Sequence, residues 1–155
     1  MQITQESPNQ PDVIALIADL DAYQDSLYPA EARYALDLAS LGQPHVQFFV
    51  ARDEQNVALG CGAVVLTEAY GEVKRMYVRP EARGRGVAQQ LMAALEAAAC
   101  AAGCQVLKLE TGPDQPEALR FYASQGFVSQ GPFGDYPEHP LSVFMSKTLT
   151  MPAQA

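Results

Sequence analysis

Histidine, cysteine and tryptophan are scarce in this sequence, and their scarcity excludes several kinds of site. The 155 residues include no tryptophan, three cysteines and two histidines. The cysteines stand at positions 61, 100 and 104, form no CxxC pair, and lie far from both histidines. A disulfide framework needs an even set of cysteines, and a structural zinc site needs closely spaced ligands. The sequence therefore predicts no disulfide framework and no metal site.

Basic residues and long apolar runs are also few. The chain has 10 lysines and arginines against 18 aspartates and glutamates, a formal net charge of −8. This balance argues against a general binder of nucleic acid or anionic membranes, because both need an extended positive surface. The N-terminus has no basic segment followed by an apolar one, and Glu96 interrupts the longest apolar stretch. We expect no signal peptide or membrane span, and hence a reduced, cytoplasmic protein.

The remaining composition is typical of one folded domain. Hydrophobic residues make up 48% of the chain and charged residues 18%, so a core can form, and the length fits a single domain over residues 1–155. Periodicity and breaker residues predict helices over 12–22, 31–36, 86–102 and 116–124, and strands over 46–52, 57–67, 72–78, 106–111 and 143–149. The predicted order is β, α, β, β, β, α, β, α, β, with no residues assigned to the first strand. This order indicates an α/β or α+β fold with strand–helix–strand crossovers around residues 72–111.

A basic, glycine-rich loop between a predicted strand and helix carries the strongest chemical signal. Residues 78–88 read VRPEARGRGVA, and small residues there let backbone N–H groups approach a ligand at a helix N-terminus. Five of the ten basic residues fall within 74–85 beside a single acid, so this window carries +4 and the rest of the chain −12. The loop predicts a bound phosphate, with a solvated basic turn as the alternative. It is neither a P-loop, which needs GK[ST], nor a dinucleotide fingerprint, which needs a third glycine.

The loop and its flanks resemble the GNAT (GCN5-related N-acetyltransferase) superfamily. Arg83-Gly84-Arg85-Gly86-Val87-Ala88 is similar to the family's acetyl-coenzyme-A motif, and EVKRMYV over 72–78 resembles the strand before it. ALRFYASQGF over 118–127 resembles the family's last helix and the strand that follows. The resemblance runs from about residue 46 to 149. Within the family, the chain also resembles a bacterial subgroup of small-molecule acetyltransferases. It implies a mixed, mostly antiparallel central sheet of six to seven strands, a splay between the fourth and fifth strands, and about four flanking helices.

The resemblance also implies the co-substrate and the residues that hold it. Acetyl-coenzyme A is the expected acetyl donor, with no metal. Its pyrophosphate is expected at the loop amides, its pantetheine along the strand edge, and its sulfur beside a tyrosine; Gln115 stands where many relatives carry asparagine. The expected coenzyme-binding residues are Met76, Tyr77, Val78, Arg83, Gly84, Arg85, Gly86, Val87, Ala88, Gln115 and Tyr122.

For the chemistry, Tyr122 is the expected proton donor to the leaving thiolate. Glu72 is the first candidate general base, with water as an intermediary, and Glu110 is the second. Cys61 is a poor nucleophile candidate, because it sits in an apolar strand without an adjacent histidine.

On the acceptor side, the resemblance points to the region after the first helix and to the loop before the last strand. Tyr28, Glu110, Phe133 and Tyr136 are the expected substrate-binding residues, and the expected acceptor is the primary amine of a small molecule. A protein or peptide N-acetyltransferase and a non-catalytic coenzyme-A sensor are the alternatives. Nucleic-acid and membrane partners are not expected, and a homodimer is an expectation by analogy alone. The identity of the acceptor is left open.

Overall fold

The computed structural model describes residues 1–149 and contains four α-helices and seven strands within them. The helices are α1 (Pro11–Leu27), α2 (Leu38–Leu41), α3 (Val87–Ala101) and α4 (Pro116–Ser124). The strands are β1 (Gln2–Gln5), β2 (Val46–Arg52), β3 (Ala58–Leu66), β4 (Gly71–Val78), β5 (Val106–Thr111), β6 (Val128–Gln130) and β7 (Val143–Thr148). Two 3₁₀ turns, Ala30–Ala32 and Pro80–Ala82, follow α1 and β4. None of these helices, all within residues 1–149, is long and apolar enough to cross a membrane.

The strands form one sheet whose fourth and fifth members separate. Its order is β1-β2-β3-β4-β5-β7-β6, and every neighbouring pair is antiparallel except β4 with β5. These two pair only at Gly71 with Leu107 and at Glu72 with Lys108. Both strands continue beyond that point without pairing to each other, so the sheet opens into a cleft. The expected mostly antiparallel sheet of six to seven strands with a splay is confirmed.

Side-chain alternation gives the sheet a core on each face. On β2, Phe48 and Val50 pack in the cluster that includes α1, whereas Phe49 and Ala51 pack toward α3. Helix α3 buries a stripe at helical spacing: Val87, Leu91, Met92, Leu95 and Ala99. Gly103 just beyond its end has φ +86°, the left-handed conformation expected of a glycine at this position.

Strand β4 carries a bulge at Arg75. This residue has φ +57°, and the register with β3 shifts between Cys61 and Ala63. The Cys61 thiol donates to the Arg75 carbonyl oxygen at 3.3 Å. Burial raises the pKa of the Cys61 thiol to about 12, so the thiol stays protonated at neutral pH and supports the bulge.

The sequence-based elements differ from the structure at several places: α1 ends at Leu27 and not at residue 22, α2 was not predicted, and the segment 31–36 and two edge strands also differ. The predicted helix over 31–36 is a 3₁₀ turn followed by extended chain, because the carbonyls of Tyr34 and Leu36 accept from Lys74 Nζ and Arg75 Nε instead of from helical amides. Strands β1 and β6, to which the sequence assigned no residues, are short edge strands. Most of their side chains are exposed, so they lack the apolar pattern that marks an inner strand.

Candidate active site

Two cavities meet inside the cleft between β4 and β5. The larger measures about 460 Å³ and lies between β4, the start of α3, and α4. The smaller measures about 110 Å³ and lies between α1, the extended segment 33–35, β4 and the end of β5. Five residues line both cavities: Leu20, Met76, Gln115, Ala118 and Tyr122. A molecule in one cavity can therefore touch a molecule in the other.

The glycine loop forms one end of the larger cavity. Gly84 and Gly86 both have φ +78°, and a Cβ added to either would meet no atom of the described chain within 4 Å. Gly86 is the N-cap of α3, and no side chain caps this end within residues 1–149. The first amides of α3 thus face open space with the positive end of the helix dipole behind them. This geometry suits an anion.

The predicted coenzyme residues are nearly all brought to this cavity. Its lining includes Met76, Tyr77, Val78, Arg83, Gly84, Gly86, Val87, Ala88, Gln115 and Tyr122. Arg85 is not among the lining residues. Because β4 leaves β5 after Glu72, the backbone of Met76 to Val78 has no strand partner on that side. An extended ligand with amide groups can hydrogen-bond to this edge as an added strand would.

Tyr122 stands where the two cavities join. It is buried, with its ring against Phe121 and Phe127, and burial raises its pKa to about 12. Its hydroxyl makes no hydrogen bond to another residue of the described range. At neutral pH this hydroxyl is protonated, so it can donate a hydrogen bond to a group placed at the junction.

Glu110, on β5, lines the smaller cavity. Burial raises the pKa of its carboxyl to about 7; the charge of Lys74 and the Ser142 hydroxyl oppose this rise, and the charge of Glu72 adds to it. Glu110 forms no salt bridge within residues 1–149, and the buried Ser142 Oγ makes no hydrogen bond of ordinary geometry there. A carboxyl group with this pKa can accept a proton near neutral pH.

Glu72, the first candidate base, lies outside the lining of both cavities. Its carboxylate accepts a hydrogen bond of 2.5 Å from Tyr136 Oη and lies 3.2 Å from Lys74 Nζ. Lys74 also donates to Tyr136 Oη and, at 2.9 Å, to the Tyr34 carbonyl. Glu72 thus belongs to a network that joins the segment around Tyr34 to the loop around Tyr136.

The predicted acceptor residues divide between two places. Tyr28 and Glu110 line the smaller cavity, and the Tyr28 hydroxyl accepts from the Asp114 amide at 3.1 Å. Phe133 and Tyr136 do not line it. They belong to an aromatic cluster beside Lys74, in which most neighbouring rings pack edge to face: Tyr34, Tyr70, Phe133, Tyr136 and Phe144.

Three cations that sequence reasoning did not place here also line the smaller cavity. They are Arg33, Lys74 and Arg75. Lys74 and Arg75 were predicted to belong with the basic loop, and no role was predicted for Arg33. In a regular strand two consecutive side chains point to opposite faces, but the bulge at Arg75 lets both reach the same cavity. A bulge of this kind leaves no clear signal in a single sequence.

Comparisons with known proteins agree with this geometry. The family profile described as "Acetyltransferase (GNAT) domain" matches residues 44–129. The chain is similar to the "IAA acetyltransferase" of Azospirillum brasilense, with 48% identity over 149 residues, which covers 95% of this chain and 97% of that protein. It is also similar to the uncharacterized N-acetyltransferase YsnE of Bacillus subtilis (strain 168), with 35% identity over 140 residues, 88% of this chain and 92% of the relative.

Two solved structures share the fold over nearly the whole chain. A Klebsiella pneumoniae protein assigned as an acyl-CoA N-acyltransferase superposes with a TM-score of 0.85 at 41% identity, covering 96% of this chain and 97% of that one. An aminoglycoside 6'-N-acetyltransferase, solved with coenzyme A, superposes with a TM-score of 0.74 at 16% identity, covering 99% and 100% of the two chains. At that lower identity the second likeness concerns the fold alone.

Proposed function

This chain belongs to the GNAT N-acetyltransferase family, and we propose that it transfers an acetyl group from acetyl-coenzyme A to a primary amine of a small molecule within a ternary complex. The junction of the two cavities at Tyr122 carries this assignment, because it lets a coenzyme in one cavity touch an acceptor in the other. One sheet runs through the described residues from β1 to β7, which supports a single acetyltransferase domain.

In this assignment the larger cavity holds the coenzyme. The pyrophosphate lies against the amides from Gly84 to Ala88 at the α3 N-terminus, where the helix dipole favours negative charge. Arg83 lines the same cavity and Arg85 is adjacent in the loop, so both add positive charge. The pantetheine pairs with the open edge of β4 over Met76–Val78 and passes Gln115. Acetyl-coenzyme A then supplies an activated acetyl thioester at the junction.

The reaction moves two protons. The acceptor ammonium loses one to a base, and the neutral amine attacks the thioester carbonyl, so that a C–N bond forms. The C–S bond then breaks, the thiolate takes the Tyr122 proton, and the second proton of the nitrogen returns to the Tyr122 oxygen. Tyr122, protonated and at the junction, donates to the departing sulfur.

We assign the base to Glu110 rather than to Glu72. Glu110 lines the acceptor cavity and has a pKa of about 7, so about half of it is ionised and able to accept a proton at neutral pH. Glu72 is held by Tyr136 and Lys74 outside both cavities, so its position fits a residue that orients Lys74 and Tyr136. Phe133 and Tyr136, in turn, support the acceptor cavity from behind.

Replacement of Tyr122 by phenylalanine tests the thiolate donor. Loss of the hydroxyl is expected to lower kcat by about 10²-fold, in the range for one proton donor, and to leave the Kd for coenzyme A unchanged. Thiol release and calorimetric titration measure the two quantities. Tyr70→Phe is the control, because Tyr70 lines neither cavity of the described chain. Unchanged turnover in Tyr122→Phe would remove Tyr122 from this role.

A further inference from the structure

The smaller cavity is unusually rich in cations for this chain. Three of the ten basic residues line it, Arg33, Lys74 and Arg75, against one of the eighteen acids, Glu110. A pocket that only had to admit an ammonium group would gain nothing from this excess, because like charges repel in a partly buried site. The excess instead points to an acceptor that is anionic at one end.

Both guanidinium groups retain N–H groups for a ligand. The Arg75 side chain is 6% exposed and makes three hydrogen bonds, two to Asp21 and one to the Leu36 carbonyl. The Arg33 side chain is 14% exposed and donates from Nη1 to Asp25 and from Nη2 to Asp21 and Gln24. A guanidinium has five N–H groups. Among residues 1–149, Arg33 Nε has no partner, and each arginine keeps two N–H groups that these bonds do not use.

The carboxylates that balance the three cations stand away from the cavity. Asp21 binds both arginines, Asp25 binds Arg33, and Glu72 pairs with Lys74, and none of the three acids lines the cavity. The three carboxylates offset the three cations in number, so the arginines offer a ligand their unused N–H groups and not a large net charge. Such a site is better matched to a single negative charge than to a doubly charged phosphate.

Arginine and Glu110 then offer complementary groups to one small molecule. Among residues 1–149 the Arg33 Nε–H has no partner, so it can donate a hydrogen bond to a carboxylate, and Glu110, which lines the same 110 Å³ cavity, can bind the amine of the same molecule. The small volume favours a compact acceptor over a peptide chain.

We propose that the acceptor is a small amine that also carries a carboxylate, of the amino-acid type, and that Arg33 is the principal residue that binds this carboxylate. Lys74 and Arg75 add positive charge beside it. This assignment rests on the proposed function and deepens it by naming the class of acceptor.

Acceptors that differ only in their carboxylate test whether the acceptor is of the amino-acid type. Thiol release is measured at saturating acetyl-coenzyme A with sets that share one skeleton: leucine, leucinamide and isopentylamine, and the equivalent sets for methionine, glutamine and ornithine. The amino acid of at least one set should exceed its amide and its decarboxylated amine about tenfold or more in kcat/KM. Phosphoethanolamine is included as the phosphate arm, and it should be a poor acceptor.

The Arg33→Gln variant tests whether Arg33 binds the carboxylate of the acceptor. The KM for the preferred amino acid should rise about tenfold, while the KM for acetyl-coenzyme A and the kcat/KM for the matching amide stay near the wild-type values. Arg33→Lys should restore part of the affinity, because it keeps the charge. Arg120→Gln is the control for charge, since Arg120 is exposed on α4 and lines neither cavity in residues 1–149.

The outcomes separate this assignment from the proposed function. Equal or better turnover of amides, plain amines or phosphoethanolamine would overturn the carboxylate acceptor and leave the acetyltransferase intact. So would coenzyme binding without thiol release from any amino acid. An equal loss for all acceptors in Arg33→Gln would remove Arg33 from this role. Failure to bind any form of coenzyme A would instead overturn the proposed function.

Discussion

Glu110→Gln is expected to lower kcat/KM by about 10²–10⁴-fold, the usual contribution of a positioned general base. Glutamine keeps the size of the side chain but cannot accept a proton from the acceptor ammonium. The measurement is thiol release with the best acceptor of the panel. The Kd for coenzyme A should not change, because Glu110 does not line the larger cavity.

The pH profile of the wild-type enzyme also tests whether Glu110 is the general base. Only the ionised carboxylate can act as base, so kcat/KM should rise with pH and then level off. The midpoint of the rise should lie near pH 7, the pKa of Glu110. The groups that act on this pKa are Lys74, Glu72 and Ser142, and none of them changes in Glu110→Gln. The variant should therefore lose the rise near pH 7. A retained rise would place the base elsewhere.

Stability separates loss of the base from misfolding. The folded protein holds the Glu110 proton more tightly than the unfolded chain, whose glutamates titrate near 4.5. The contribution of this group to stability is therefore fully present below about pH 4.5 and declines as the pH rises through about 7. Glu110→Gln should raise the Tm at pH 8 relative to the wild type and have a smaller effect at pH 5. An inactive variant with a lower Tm at pH 8 would contradict the buried, ionisable carboxyl described here.

Gly86→Ala is expected to weaken coenzyme-A binding by about tenfold or more. An alanine at φ +78° is strained by roughly 1–2 kcal/mol, and relief of that strain would turn the first α3 amides away from the bound pyrophosphate. The added methyl meets no atom of the described chain within 4 Å, so any clash it makes is with the ligand. Calorimetric titration of coenzyme A measures the effect.

Gly103→Ala is the matched control for this substitution. Gly103 has φ +86°, and a Cβ there also meets nothing within 4 Å, but it lies beyond the far end of α3 and outside the larger cavity. Both variants should lose a similar amount of stability, and only Gly86→Ala should lose coenzyme affinity. Equal affinities in the two variants would show that the phosphate does not approach Gly86.

Local patterns in the sequence were sufficient to predict the elements that form the coenzyme side of the molecule. Helix α3 has a full apolar stripe, and the glycines before it stand at a strand-to-helix junction, so both the element and the anion-binding amides could be predicted from neighbours in sequence. Strands β2 and β5 were placed at their observed bounds for the same reason. These features depend on residues a few positions apart.

The acceptor side depends on contacts between distant segments. Arg33 reaches the cavity because the chain after the 3₁₀ turn over Ala30–Ala32 stays extended, and it stays extended because Lys74 and Arg75 bind its carbonyls from about forty residues away. The bulge at Arg75 then turns a side chain that alternation would have placed on the other face. Phe133 and Tyr136 were expected to line the cavity, and they pack behind it in an aromatic cluster. Their positions follow from how the loop folds back, which a single sequence does not reveal.

The most direct test of the acetyltransferase assignment is a titration of the purified protein with acetyl-coenzyme A, coenzyme A and NAD, followed by thiol release against the amine panel in the same samples. We expect the two coenzyme-A species to raise the Tm and to bind by calorimetry, NAD to do neither, and at least one amine to release thiol. Stabilisation by NAD, or no binding of either coenzyme-A species, would contradict the assignment of the larger cavity. Binding of coenzyme A with no thiol release from any amine would favour a sensor over an enzyme.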